Sequence, residues 1–343
     1  MFAEFRAMGG LLIAVALVAA ILSGLVAWAG PVDPPGLRRS HQRPTPTSGS
    51  LAIIVATCLG LALAGRLGLA AQDPRLGWLA LLAAVGGLIG AADDLFDLPP
   101  RTKLLVQVAL TLLFCRVVAR VDLLPLAPGL TLPLGLIAGV AGSALWLVVL
   151  TNAVNFVDGA DGLAPGAVII ALAGLAAAAL LKGQGAIAIA ALIGVAAGIG
   201  FLPWNLPAHR LFQGDAGAIF SGLFLAGLAV LAASPLQGAA LSPYLIPFAA
   251  LPLLTDVLLT LLVRARARKP LLSAHREHLY QLWLDHSGAT HAALSLRYWL
   301  IMAIFTGAAV LNEQAPVGWQ PIGFAVAVMV AVIGWVGLRR ICA

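Results

Sequence analysis

Asn152, Asn155, Asp158 and Asp161 stand at every third position of Asn-Ala-Val-Asn-Phe-Val-Asp-Gly-Ala-Asp-Gly-Leu, residues 152–163. That spacing gathers two carboxamides and two carboxylates along one side of a turn and a half of helix, or of a tight helix-like loop. Gly159 and Gly162 let backbone approach closely. A helix cap needs one Asn or Asp, not four in register, so the stretch reads as a binding or catalytic surface.

Other clusters carry chemistry too. Asp93, Asp94 and Asp97 follow the end of an apolar run, with Arg101 and Lys103 close behind. Adjacent acids cannot cheaply both stay charged without a cation or hydrogen-bond donors nearby. The pair suits metal binding, or general-base work on a hydroxyl or phosphate. Gly214-Asp215-Ala216-Gly217 opens a later apolar run. It would set a carboxylate beside the N–H groups of a helix N-terminus, a good place for phosphate. Phe212 could offer a flat face to a base or anchor the chain at a membrane interface.

Arg38-Arg39-Ser40-His41-Gln42-Arg43 leads into Pro44-Thr45-Pro46-Thr47, joining a cationic group to a rigid turn. It is either a phosphate grip or a positive-inside anchor. His275-Arg276-Glu277-His278 follows the basic run Arg264–Lys269. A zinc pair there lacks a third protein ligand, so a diphosphate held by Arg276 and His278 is the better reading. Asp256 lies within an apolar run without an evident partner. Asp73 and Asp122 read as ordinary loop acids, and His209, His286 and His291 as surface residues.

Apolar segments long enough to span a bilayer must position these groups. They recur at about 9–30, 50–71, 76–92, 103–121, 130–150, 163–181, 184–202, 216–234, 244–263, 292–311 and 320–338, the third being the shortest. The first ends in Ala27-Trp28-Ala29, which resembles a signal-peptidase site, and is read as a retained helix. The chain is 61% hydrophobic and 10% charged, with mean hydropathy +1.01. Soluble domains carry about 25% charged residues. The expectation is an all-α polytopic membrane protein of about eleven transmembrane helices, or ten, forming one integral-membrane domain over residues 1–343. Cys58, Cys115 and Cys342 are scattered and make neither a metal cluster nor a disulfide framework.

The net charge of +6 reflects loops facing anionic lipid rather than nucleic acid. Fourteen Lys and Arg fall in one set of connections and six in the other, so the first set is read as cytoplasmic. The N-terminus then faces outward and the C-terminus inward. Asp93, Asp94, Asp97, Asp158, Asp161 and Asp215 all fall in turns on the cytoplasmic side. Carboxylates at a bilayer boundary are costly unless they bind something, which implies a cytosol-facing cleft suited to a divalent cation. A transporter would place its acids near the bilayer midplane instead.

Taken in order, these motifs resemble the polyprenyl-phosphate N-acetylhexosamine-1-phosphate transferases. That superfamily includes the bacterial enzyme of lipid I synthesis and those that start O-antigen and teichoic-acid chains. The resemblance runs from about Asp33 to Gln281. It rests on the Arg-Arg-Ser-His…Pro-Thr-Pro loop, the Asp-Asp pair, the Asn-x-x-Asn-x-x-Asp-Gly-x-Asp-Gly-Leu stretch, Gly-Asp-x-Gly and a His-containing fifth cytoplasmic loop.

The resemblance implies that polyprenyl phosphate attacks the β-phosphate of a UDP-sugar and releases UMP. Mg²⁺, or Mn²⁺ in its place, would bridge the diphosphate. By position, Asp215 is similar to the main metal ligand and Asn155 to a second. Asp93, Asp94, Asp158 and Asp161 make up the catalytic group, with Asp93 or Asp94 engaging or deprotonating the lipid phosphate. Asp158 and Asp161 match positions lining the nucleotide pocket, Asp161 being similar to the uracil-reading acid and Phe212 to the aromatic that stacks on uracil. Arg39, His41, Lys103, Asn152, Arg276 and His278 would hold phosphates or surround the sugar.

The fifth loop departs from the histidine-rich cluster of the lipid I and teichoic-type enzymes, since His278 alone has a clear counterpart. Its His-Arg-x-His-x-Tyr-Gln pattern looks more like the O-antigen-initiating branch. Donors there are UDP-GlcNAc or 6-deoxy relatives such as FucNAc and QuiNAc, rather than a muramyl-pentapeptide. Ala218 replaces the usual serine after Gly-Asp-x-Gly, and Gly49-Ser50 the usual Gly-Gly. The implied setting is a bacterial cytoplasmic membrane, with a homodimer left open.

Overall fold

The computed structural model describes residues 2–30, 32–33, 45–46, 49, 51–69, 73–207, 210–271, 273 and 275–342. Its helices are α1 (Phe2–Ala29), α2 (Leu51–Arg66), α3 (Arg75–Phe96), α4 (Pro100–Val117), α5 (Gly135–Val157), α6 (Leu163–Leu181) and α7 (Gly185–Asn205). They continue as α8 (Gly214–Ala233), α9 (Leu245–Ala249), α10 (Leu251–Arg266), α11 (Leu279–Ser287), α12 (His291–Asn312) and α13 (Gln320–Cys342). Two small antiparallel hairpins interrupt them, β1 (Val32–Asp33) with β2 (Thr45–Pro46) and β3 (Leu123–Ala127) with β4 (Leu130–Pro133).

Among the described residues, eight helices are long and apolar enough to cross a membrane: α1, α3, α5, α6, α7, α8, α12 and α13. The chain is an all-α, multi-pass membrane protein. α2 and α10, at 16 residues each, and α4, with Arg101, Lys103 and Arg116 near its ends, account for the other three expected segments.

Three expectations change. The segment 130–150 opens as β4 and turns helical only at Gly135, because Pro125, Pro128 and Pro133 favour a hairpin over a helix. The segment 244–263 breaks at Ala250 between α9 and α10, with Pro252 in the first turn of α10. The third span is not the shortest. α3 runs 22 residues, continuing through Asp93 and Asp94 where an apolar run stops at the first charge.

α8 is the axis of the bundle: 89% of its apolar window is buried, against 17% for α13. Membrane helices gain little from excluding water, so they associate through small residues that let backbones approach. Gly86, Gly87 and Gly90 give α3 such a face toward α8, and a Cβ on Gly90 would lie 2.5 Å from the Asp215 carbonyl. On α1, by contrast, Ile13, Leu17, Ile21 and Leu25 form an exposed apolar stripe at four-residue spacing, a lipid-facing surface.

Polar contacts collect at the two ends of the bundle. At the end bearing the β3–β4 hairpin, Asp73 is buried and paired with Arg75 at 2.7 Å, so it is no ordinary loop acid. Its two oxygens accept from that guanidinium, which also donates to the Ser234 carbonyl and joins α3 to the end of α8. Asp122 is exposed, as expected.

Candidate active site

The opposite end holds the acids. Asp93 and Asp94 lie on the last turn of α3, which Asp97 closes in the left-handed conformation at φ 51°. The Leu98 N–H donates to Asp93 Oδ1 at 2.7 Å and fixes that carboxylate. Lys103, on the first turn of α4, donates to Asp93 and, at 3.0 Å, to Asp215 Oδ2 on the first turn of α8.

Asp94 does something different. Its oxygens accept from the backbone N–H groups of Asp215 at 3.0 Å and Ala216 at 3.4 Å, so an acid of α3 caps α8 from across the bundle. Gly214 adopts φ +70°, and a Cβ there would lie 2.6 Å from Asp94 Oδ2. Two N–H groups at the start of α8, expected to await a phosphate, are therefore already engaged.

The Asn-rich stretch is half helix and half turn. Asn152 and Asn155 sit on the last turns of α5, and Asp158 and Asp161 in the connection to α6. The Asn152 amide donates to Gln107 Oε1 at 2.7 Å and to the Val148 carbonyl at 2.8 Å, tying α5 to α4. Loss of hydration, then the charges of Asp215, Asp94 and Asp161, hold the Asp158 carboxyl well above the usual carboxylate range.

Asp93 and Asp215 thus meet at Lys103, while Asp94 and Asp158 lie close enough to Asp215 to feel its charge. Hard oxygen donors in excess negative charge suit Mg²⁺. Among the described residues no three His, Cys, Asp or Glu side chains form a ready metal cage. Mg²⁺ does not require one, since it takes one or two carboxylates and completes its shell with water and substrate phosphates. Asp215, with Asp93 and Asp94 close by, offers the carboxylate oxygens such a partial donor set needs.

Asp161 is buried and tied to α12. His291 Nδ1 lies 2.8 Å from Asp161 Oδ2, and Ser295 Oγ donates to the Asp161 carbonyl at 2.6 Å. Asn205 and Trp299 hold the next residue, accepting from the Gly162 N–H and donating to its carbonyl. His291, expected at the surface, instead faces the site. A lone histidine after the Thr290 cap carries no sequence signal for a contact that spans 130 positions.

The Phe212 main chain pairs with the described part of the Pro-rich loop. Its N–H donates to the Pro46 carbonyl at 3.0 Å, and its carbonyl accepts from the Gly49 N–H at 3.2 Å. The loop is thereby moored beside the start of α8. Arg38, Arg39, His41, Arg43 and His209 lie outside the described residues.

Residues 76–233, from α3 through α8, match Glycosyl transferase family 4. A decaprenyl-phosphate N-acetylglucosaminephosphotransferase of Mycolicibacterium smegmatis is 31% identical, covering 89% of this chain and 80% of its own. A probable undecaprenyl-phosphate N-acetylglucosaminyl 1-phosphate transferase of Bacillus subtilis is 27% identical over 89% of this chain and 84% of its own. A phospho-N-acetylmuramoyl-pentapeptide-transferase of a Synechococcus species is 36% identical, over 62% of this chain and 64% of its own. The chain belongs to the polyprenyl-phosphate hexosamine-1-phosphate transferase superfamily.

In this superfamily member the fifth loop is packed rather than open. His275 and His278 precede α11 in non-helical backbone, yet their ring centroids are 4.7 Å apart. His278 is 3% exposed and lies 5.6 Å from the ring of Phe156, inside the Asn-rich stretch. Burial, then the Arg264 charge, pushes His278 down to about 4, and burial with His278 beside it does the same to His275. Both imidazoles are neutral near pH 7. Arg276 is exposed and paired with Asp285 at 3.1 Å, and Glu277 is held by Arg264 at 2.6 Å and Lys269 at 3.1 Å. The structure brings His278 against the α5 end of the site and leaves Arg276 at the surface.

Proposed function

We propose that this transferase passes an N-acetylhexosamine 1-phosphate, in the first instance GlcNAc 1-phosphate, from a UDP-sugar to polyprenyl phosphate. A lipid phosphate oxygen bonds to the donor's β-phosphorus as the bond from that phosphorus to the bridging oxygen breaks, and UMP leaves. The observation that carries this reading is the convergence of Asp93, Asp94, Lys103, Asp158 and Asp215 from the ends of α3, α4, α5 and α8. Acids at helix ends, away from the middle of the spans, also speak against a transporter.

Lys103 lies between Asp93 and Asp215, where phosphate oxygens can compete for its ammonium. Asp94 is committed to two backbone N–H groups. We therefore assign Asp93 to the lipid phosphate and Asp94 to positioning Asp215. Mg²⁺ held by Asp215 and Asn155 would neutralise charge on the diphosphate. Asp161 and Phe212 are assigned to the uracil, and Arg39, His41, Asn152 and His278 to phosphate and sugar; Arg276, exposed and paired with Asp285, is not.

The choice of GlcNAc follows two relatives that align over 89% of this chain, one named an N-acetylglucosaminyl 1-phosphate transferase and the other an N-acetylglucosaminephosphotransferase. The muramoyl-pentapeptide relative aligns over 62%. FucNAc and QuiNAc remain the next donors to try. The step would begin an O-antigen or related surface glycan at a bacterial cytoplasmic membrane, with the acidic end in the cytosol.

The test is UMP release by purified protein in detergent with undecaprenyl phosphate, Mg²⁺ and a panel of UDP-N-acetylhexosamines. Lipid-dependent UMP from one donor is expected, falling at least about a hundredfold in Asp215→Ala. Folded wild-type protein that releases UMP from no donor would sink the reading.

A further inference from the structure

A buried carboxylate is costly unless it is paired or well hydrogen-bonded. Asp256, the sixth residue of α10, is 2% exposed. Its oxygens accept from four donors on three elements. The N–H groups of Leu279 and Tyr280, at the start of α11, lie at 2.6 Å and 3.3 Å. Thr260 Oγ1, one turn along α10, lies at 3.3 Å, and the Trp335 indole N–H of α13 at 3.4 Å. His278 Nδ1 approaches to 3.9 Å. Four donors suit an ionised carboxylate, which only accepts, whereas an asparagine would turn an NH₂ toward one of them.

What Asp256 holds matters more than how it is held. α11 has nine residues, too short to be stable in isolation, and its own cap is local, the Gln281 side chain accepting from the His278 N–H at 3.3 Å. Its first N–H groups are fixed by a side chain of another helix. From there two contacts lead into the acidic site. The Tyr280 hydroxyl donates to the Phe156 carbonyl at 3.2 Å, and the His278 ring lies against the Phe156 ring. Phe156 directly follows Asn155 and lies two positions before Asp158. Arg339 of α13 steadies the same loop by donating to the Glu277 carbonyl at 3.0 Å.

We propose that Asp256 is a positioning residue that sets the fifth loop, His278 and Tyr280 foremost, against the Asn-rich stretch and thereby tunes donor recognition. It touches no reacting atom and acts through α11. The proposal rests on the transferase reading for its kinetic consequence, and on geometry alone for its mechanical one.

The experiment compares wild type with Asp256→Asn, Asp256→Ala and Trp335→Phe, the last removing one donor while keeping an aromatic ring. With UDP-GlcNAc and undecaprenyl phosphate, KM for the sugar nucleotide should rise about tenfold in Asp256→Asn. KM for the lipid should stay within about twofold, and Trp335→Phe should shift the donor KM in the same direction by less. Amide hydrogen exchange at Leu279 and Tyr280 should quicken in step. A variant with unchanged donor KM and only a lower kcat, or with both KM values moved equally, overturns the proposal. If Asp256→Ala does not fold, the other two variants still decide. If wild type releases no UMP, the transferase reading falls while exchange at Leu279 and Tyr280 still reports whether Asp256 holds the loop; unchanged exchange there refutes the proposal.

Discussion

A neutral imidazole in a nearly sealed pocket is a liability in acid. His278 is 3% exposed with its pKa pushed down to about 4 by burial and Arg264, so the native state binds fewer protons there than the unfolded chain. Stability linked to His278 is therefore full above the unfolded value near 6.5 and is lost as pH falls from there toward 4. The ceiling on that loss is about 3 kcal/mol. Asp158 works in the opposite sense, because its raised carboxyl lets the folded state take up a proton before the unfolded chain does. The raw pH profile therefore mixes the two, and the comparison with His278→Phe isolates the histidine. Melting midpoints in detergent between pH 7.5 and 4.5 should fall more steeply for wild type than for the variant; parallel curves would show that His278 is not held neutral by its surroundings.

Among the helices, the contact that most directly shapes the site is α3 against α8, which sets Asp93 and Asp94 beside Asp215. Gly90 makes it close, and a side chain there would meet the Asp215 backbone rather than a flexible neighbour. Overpacking such a contact costs about 1–3 kcal/mol, and relief requires the two helices to part. Gly90→Leu should therefore reduce lipid-dependent UMP release at least tenfold, even in the fraction that remains folded. Gly77→Leu, on the same helix where nothing lies within 4 Å, should leave both activity and melting unchanged. Equal activity in the two variants would mean the α3–α8 spacing does not govern the site. The sequence made much of this legible: long apolar runs marked the spans, and the acids at their ends are brought together at one end of the bundle. It could not show that Asp94 caps α8, that His291 holds Asp161 or that Asp256 anchors α11. Those contacts join residues 23 to 130 positions apart, and no local period records them. The β3–β4 hairpin and the break at Ala250 escaped for another reason: averaging apolarity over a window passes over the prolines that end a helix.

For the molecule as a whole, the two ends differ in what they can meet. One carries Asp93, Lys103, Asp158 and Asp215 with the basic connections. The other carries the β3–β4 hairpin, where the Tyr244 hydroxyl donates to the Pro125 carbonyl at 2.6 Å and Gly318 packs under Pro128. From the excess of Lys and Arg on the acidic end we propose that this end faces the cytosol and the hairpin the outside. In a background with Cys58, Cys115 and Cys342 replaced by serine, Gly129→Cys at the hairpin tip should react with a membrane-impermeant maleimide on intact cells. A second protein keeping Cys342 alone, at the end of α13, should react only after the membrane is opened. The reverse pattern would turn the acidic end outward, away from any cytosolic UDP-sugar, and the proposed reaction would have no donor to act on.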